Sequence, residues 1–448
     1  MGDNEVETLN QLLAVDAAAR IAAGDLSSED LVQSCLARIA DREADVLAWV
    51  HLDPEQALAQ ARACDQARDQ TLAGGDALGP LHGVPVGLKD IIDTADMPTE
   101  NGSALFAGRI PEADARVVSL LRDAGAVIMG KTVTTEFALS GARATRNPHD
   151  PARTPGGSSS GSAAAVADAM IPLSLGSQTG GSMIRPASFC GVHGYKPTYG
   201  SISRAGVFIL SRRLDHLGVY ARGLADLALI GDVLMVHDAA DFEMRYHAGC
   251  HLVDALSEPL EDAPRLAVFK GAPWEEIEDD TAAALETVLT QLGGVTDIQV
   301  PLPVDEALSV HATIMDASAT ANPGRFLPQA DKLLPETAKR ISVGKDITAA
   351  DYVLALDKAE VIRQALDGLF ADVDALITPA APGEAPLGLQ STGNPVFQKI
   401  WTLAGMPSVT LPMMSGPNGL PIGLQVIGRR GFDAALFRTA QWIEERIK

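Results

Sequence analysis

Short β-branched runs alternate along this chain with segments of helical periodicity, and on that alternation the sequence predicts an α/β fold. Two compositional facts agree. Hydrophobic residues make up 46% of the 448 and charged residues 21%, which supplies a large core and excludes a disordered chain. Aromatics are only 4%, against 41 Gly and 27 Pro, so the interior is aliphatic and the chain turns sharply and often.

In chain order, Leu9, Leu12, Leu13 and Ala17 recur at helical spacing, and Ser27-Ser28-Glu29-Asp30 forms an N-cap pattern ahead of Leu31, Val32, Leu36 and Ile39. Pro54 opens an Ala/Gln-rich helix to about Gln70, completing an N-terminal helical segment, residues 1–75. Residues 84–92 read as a strand, 114–123 as a helix and 127–129 as a second strand, all within a core segment at 76–200. About 240–370 is more helical and more acidic, and is expected to be an insertion or peripheral layer. Strand patterns return within 371–448, at 375–378, 408–411 and 422–427, followed by a helix from about Ala434. No internal repeat or long linker interrupts the chain, so a single domain, 1–448, is expected.

Lys+Arg is 35 and Asp+Glu 58, a net charge of −23. Such a chain repels phosphate backbones and anionic lipids, so neither nucleic acid nor membrane is expected as a partner. Cys35, Cys64, Cys190 and Cys250 form no C-x-x-C pattern, which argues against a zinc cluster or disulfide framework. The acidic start Met1-Gly2-Asp3-Asn4-Glu5 lacks the charge and apolar run of a signal peptide, and no stretch reaches 18 apolar residues. A cytoplasmic location is expected.

Two short motifs mislead. Gly125-Ala126-Val127-Ile128-Met129-Gly130-Lys131-Thr132 satisfies the phosphate-loop pattern. A helix precedes it where a strand is required, and Ala-Val-Ile-Met prefers to be a buried strand. Gly157-Ser158-Ser159-Ser160-Gly161 satisfies the G-x-S-x-G nucleophile elbow. A proline-broken loop precedes it, and the later histidines (His216, His237, His247, His251, His311) lie in uninformative settings.

A longer pattern decides. After Arg153 the chain reads Thr-Pro-Gly-Gly-Ser-Ser-Ser-Gly-Ser-Ala-Ala-Ala-Val-Ala, then Leu175-Gly176-Ser177-Gln178-Thr179-Gly180-Gly181-Ser182-Met183-Ile184-Arg185-Pro186, then Gly194-Tyr195-Lys196-Pro197-Thr198. Two small-residue turns of this kind let backbone approach a ligand and aim several N–H groups at one spot. With Pro80-Leu81-His82-Gly83-Val84-Pro85-Val86-Gly87-Leu88-Lys89-Asp90 upstream and Gly419-Leu420-Pro421-Ile422-Gly423-Leu424-Gln425 downstream, the chain resembles the amidase signature family of serine hydrolases. The resemblance covers most of the chain. It implies a large mixed, twisted β-sheet covered by helices on both faces, with neither cofactor nor metal.

The resemblance also implies a Ser-Ser-Lys triad: Ser182 as nucleophile, Ser158 as bridging serine after a cis peptide, and Lys89 as base. The N–H groups of Thr179, Gly180, Gly181 and Ser182 would form the oxyanion hole. Lysine is protonated when solvated, but the apolar, strand-like Val86-Gly87-Leu88-Lys89 would bury it and lower its pKa. The chain departs from the family at Gln178, where many members carry Asp, and at Ser160, where many have Gly. Arg185, three residues beyond the nucleophile, resembles the malonamidase-like branch, where it would hold a substrate carboxylate; the plainer role is a structural arginine pinning the loop. Gln178 and Arg185 are the candidate substrate-binding residues. The expected activity is hydrolysis of small-molecule amides, aryl or aliphatic and including carbamates, by a chain compatible with a homodimer. The alternative is the glutamine-amide-cleaving subunit of an amidotransferase.

Overall fold

The computed structural model describes residues 8–74, 77–139, 141, 143–244, 251–258 and 260–447. The acidic residues 1–5, His247 and Cys250 lie outside them. Among the described residues eleven strands form one sheet: β1 (Trp49–Leu52), β2 (Pro85–Lys89), β3 (Val127–Thr132), β4 (Leu173–Gln178), β5 (His193–Lys196), β6 (His216–Ala221), β7 (Leu266–Val268), β8 (Thr296–Asp297), β9 (Ala375–Pro379), β10 (Ser408–Ser415) and β11 (Pro421–Ile427). Their order across the sheet is β1-β3-β2-β4-β6-β5-β10-β11-β9-β7-β8. β2 runs parallel to both β3 and β4, while β4–β6, β6–β5, β5–β10 and β10–β11 are antiparallel. The sheet is therefore mixed, as expected.

Helices cover both faces, and β3 shows how its sequence serves both. Ile128 belongs to the same buried apolar cluster as Val117, Val118 and Leu121 of the helix Arg116–Asp123 and the inner residues of the helix Leu224–Leu234. Val127 and Met129, pointing the other way, join Leu31, Val32 and Ile39 of the helix Ser28–Val46 and Ala163 to Val166 of the helix Ser160–Ala167. A strand covered on both sides reads as a continuous apolar run rather than an alternating one. A third core lies around Trp401 and Phe269, where the helices Ala307–Ala321, Ala349–Leu369 and Val396–Ala404 meet.

The local signals hold where their chemistry is explicit. Ser27 caps the helix Ser28–Val46 by accepting from the Asp30 N–H, and Pro54 begins the helix Pro54–Gly74. The strand expected at 127–129 extends to Thr132 and swallows the phosphate-loop match: all six residues are buried. Lys131 Nζ donates to the Ile92 carbonyl at 2.5 Å and to Thr99 Oγ1 at 2.6 Å, so it faces the protein and not a phosphate. Within the more helical region, β7 and β8 extend the sheet edge. Strands of three and two residues leave too short a pattern to read.

The second glycine of the G-x-S-x-G match is a packing residue. A Cβ on Gly161 would lie 2.1 Å from the Ala48 carbonyl oxygen and 2.4 Å from the Val133 nitrogen. On Gly180 the nearest atom would be His311 Cε1 at 3.8 Å. Gly161→Ala should therefore lower stability by about 2 kcal/mol or more, the scale of overpacking against immovable backbone. Gly180→Ala should leave the urea midpoint nearly unchanged, and equal midpoints for the two variants would refute the assignment.

Candidate active site

The site lies where the parallel strands β2 and β4 end, the edge at which open α/β sheets present ligand sites. Lys89 is the last residue of β2 and is wholly buried. Its Nζ donates to Ser158 Oγ at 2.7 Å and to Ser177 Oγ at 2.7 Å. Burial holds the Lys89 pKa well below the usual lysine value, and the negative field of Asp215 partly opposes that shift. Two hydroxyls are good acceptors for an ammonium and equally good donors to a neutral amine, so the site tolerates both forms of the base. Ser158 lies just ahead of the helix Ser160–Ala167, after a cis Gly157–Ser158 peptide.

The neighbouring serines have separate tasks. Ser159 Oγ donates to the Ser177 carbonyl and accepts from the Ser177 N–H, both at 3.1 Å, tying this loop to β4. Ser160 Oγ bonds the Gly156 carbonyl, and Ser162 Oγ the Leu175 carbonyl, both at 2.9 Å. Ser177 shares Lys89 with Ser158, a contact that sequence reasoning missed. It lies inside the quoted motif with nothing to set it apart from a turn serine.

Past β4 the chain makes the turn 179–182 and enters the helix Ile184–Cys190. All four carbonyls of that turn are engaged. Thr179 accepts from His311 Nε2 at 2.8 Å, Gly180 from Thr402 Oγ1 at 2.9 Å, Gly181 from the Arg185 N–H at 3.1 Å and Ser182 from the Tyr220 hydroxyl at 2.9 Å. The N–H groups of Gly180, Gly181 and Ser182 donate to no protein group among the described residues. These three donors remain for a ligand in the adjoining cavity of about 610 Å³, which Thr179, Gly180, Gly181 and Ser182 line. No hydrogen bond joins Ser182 Oγ to Ser158 among the described residues.

The two candidate substrate binders part company. Gln178 is wholly buried: its Oε1 accepts from the N–H groups of Met183 (2.9 Å) and Ile184 (3.1 Å), and its Nε2 donates to Thr402 Oγ1 (2.9 Å). It braces the turn from behind and does not line the cavity. An amide can do this because it offers an acceptor to two backbone donors and a donor to a hydroxyl, whereas a carboxylate offers only acceptors. Arg185 does line the cavity. Its Nε donates to the Thr392 carbonyl at 2.6 Å, and its Nη2 to the Gly157 carbonyl at 2.5 Å and to Thr392 Oγ1 at 3.1 Å. That is the structural pinning role, but Nη1 has no partner among the described residues. Burial without a carboxylate beside it pulls the guanidinium down to about 10.

Histidine re-enters in a supporting part. His311, on the helix Ala307–Ala321, is wholly buried against the turn. A carbonyl only accepts, so Nε2 carries the proton toward Thr179. Burial lowers its pKa to about 4, so it stays neutral near pH 7. The farther cavity wall bears Arg340, Lys399 and Glu336. Among the described residues no cluster of metal-ligating side chains occurs, and no helix is long and apolar enough to cross a membrane.

Fold and site together define an amidase-type enzyme acting on carbon–nitrogen bonds. The chain belongs to the Amidase family, whose match spans residues 30–437. It is 36% identical to a glutamyl-tRNA(Gln) amidotransferase subunit of Chloroflexus aggregans, over 96% of this chain and 95% of that one. A solved structure concerning a vestigial protein complex and the origins of an s-triazine catabolic enzyme is similar at 30% identity and a TM-score of 0.89, covering 98% of this chain and all of that one. The peptide amidase of Stenotrophomonas maltophilia is 29% identical with a TM-score of 0.84, covering 98% of this chain and 97% of that one.

These relatives correct two expectations. The free-standing hydrolase of small amides and carbamates is overturned by several full-length relatives at 34–36% identity that are named as the same subunit of a glutamyl-tRNA(Gln) amidotransferase. The same finding overturns the partner expectation of a small molecule and no nucleic acid. Net charge misled because it describes only what one surface attracts by itself.

Gln178→Ala strips the acceptor from two buried N–H groups. It should cost about 2–4 kcal/mol in a denaturation curve and leave KM of the remaining folded protein unchanged. A raised KM at normal stability would return Gln178 to the substrate.

Proposed function

We propose that this chain is the glutamine-amide-cleaving subunit of an amidotransferase, releasing ammonia for use by partner subunits on a glutamyl-tRNA. The observation that carries the chemistry is the buried Lys89, bonded to Ser158 beside a cavity with three free N–H donors. The full-length likeness to amidotransferase subunits supports the setting.

Ser182 Oγ attacks the side-chain amide carbon of glutamine, and its proton passes through Ser158 to Lys89. Burial keeps Lys89 available as a neutral base, which a solvated lysine is not. The free N–H groups of Gly180, Gly181 and Ser182 hold the developing oxyanion, each typically contributing about 10²–10³ in rate. Lys89 returns the proton through Ser158 to the leaving nitrogen, and the C–N bond breaks to give ammonia and a glutamyl ester on Ser182. Water, deprotonated by the same relay, cleaves the ester to glutamate and restores the serine.

The cavity's charge suits an amino acid. Arg185, Arg340 and Lys399 line it together with the carboxylate of Glu336. Arg340 is paired with Asp316 at 2.5 Å. Lys399 is held below its usual value by burial and then by the fields of Arg340 and Arg185. A carboxylate on the substrate would relieve that crowding, and Glu336 offers a partner for an α-ammonium.

Ammonia release from L-glutamine by the chain reconstituted with its partner subunits and glutamyl-tRNA tests this reading. Ser182→Ala and Lys89→Met should each lose about 10⁴-fold or more in kcat. Wild-type turnover should fall on the acid side as Lys89 takes up a proton. Because burial lowers its pKa, that limb should lie at lower pH than for a solvated lysine. Glutaminase activity retained by Ser182→Ala would dismiss the mechanism, and indifference to glutamine in the full assembly would dismiss the substrate.

A further inference from the structure

Asp215 stands one residue before β6, and β6 pairs with β4 so that His216 faces Gln178. This register sets Asp215 against Thr179, the first residue of the turn 179–182. Thr179 Oγ1 donates to Asp215 Oδ1 at 2.6 Å, while Oδ2 accepts the N–H groups of Leu210 (2.8 Å) and Ser211 (3.0 Å). Both oxygens are thus occupied by donors, the arrangement of an ionised carboxylate. Burial raises its pKa, while the Thr179 hydroxyl, Arg204 and the two N–H groups pull it back.

The charged and titratable groups around it come from several elements. Lys89 ends β2 and feels its negative field. Arg204 donates Nη1 to the Asp215 carbonyl at 3.1 Å, but gives its Nε to Asp241 at 3.0 Å, so its charge is already matched. His216 follows in the chain and is held neutral near pH 7 by burial and by the field of Lys196. His311 bonds the other side of Thr179 and is also neutral there. Among the described residues Lys89 bonds only serine hydroxyls, so no carboxylate there touches it directly. Lys89 Nζ is held by Ser177 at 2.7 Å and Asp215 by Thr179, two residues further along the same segment, at 2.6 Å, so this carboxylate stands close enough for its field to reach the amine while it holds the turn.

We propose that Asp215 is a positioning residue with two coupled duties: it anchors Thr179 so that the turn keeps its free N–H groups aimed into the cavity, and its negative charge sustains the basicity of Lys89. Too deep a desolvation would leave an amine too weak to accept the serine proton; a carboxylate one hydroxyl away from the turn offsets it without capturing the ammonium in a salt bridge. The inference rests on Lys89 being the base and Ser182 the nucleophile.

Two substitutions separate the duties. Asp215→Asn removes the charge and keeps the contacts, because the amide oxygen can accept from Leu210 and Ser211 while its NH₂ donates to a rotated Thr179 hydroxyl. Thr179→Val removes the anchor and keeps the charge. The readout is the rate of Ser182 phosphonylation by a fluorophosphonate across pH, in which Ser182 Oγ displaces fluoride from phosphorus and no knowledge of the natural substrate is needed. In Asp215→Asn the acid limb should move to lower pH and the plateau fall about 10-fold. In Thr179→Val the plateau should fall about 10- to 100-fold with the limb in place. An acid limb in Asp215→Asn that coincides with wild type would overturn the electrostatic duty, and a wild-type plateau in Thr179→Val the anchoring one. Labelling of Ser182→Ala as fast as wild type would instead defeat the underlying assignment of the nucleophile.

Discussion

A lysine side chain in the protein interior, with hydroxyls for company and no carboxylate at contact distance among the described residues, is the constraint on which the rest of this molecule depends. An ammonium in such a place loses its water and gains little in return, so the neutral amine is favoured. That state demands a dry pocket, and the sheet provides it. β2 lies inside the sheet with parallel neighbours on both edges and helices on both faces, so its final residue enters a place that water does not reach.

The second demand is a rigid set of donors. A turn of small residues would ordinarily collapse onto itself or onto water. Here every carbonyl from Thr179 to Ser182 is taken by another group: a histidine, a threonine, a backbone amide and a tyrosine. With the acceptors fixed outward, the remaining donors keep their direction without reorganising, which is the condition for electrostatic stabilisation in a low-dielectric site. Gly181 shows how tight the fit is. A Cβ there would come within 2.6 Å of Gln398 Oε1 and 3.1 Å of Arg185 Nη1.

Much of this is legible in the sequence, for physical reasons that differ by residue. Ser27 and Pro54 act through their own backbones and can be read locally. The phosphate-loop match can be dismissed because Ala126 to Met129 has to be a strand. Lys89, Ser158 and Ser182 come from resemblance, since alone each is an ordinary lysine or turn serine. Gln178 reads as a substrate contact because a change at a motif position looks like specificity; only the fold reveals the two N–H groups behind it. Ser177, Asp215, His311 and Thr402 escape because their partners lie on segments far away in sequence. The partner expectation fails for another reason: net charge is a property of one chain and carries no trace of the assemblies for which its relatives are named.

The sheet order carries a consequence for how the molecule is made. β5, ending at Lys196, has as its outer neighbour β10, which begins at Ser408. During synthesis more than two hundred residues must therefore emerge before that ladder can close. Until then the nascent chain carries an unpaired edge in the middle of its future core, an open template for another strand. Thr402, which braces the catalytic turn, arrives just as late. The turn 179–182 thus waits for one of its braces until synthesis is almost complete, and the open edge stays exposed to misassociation for as long.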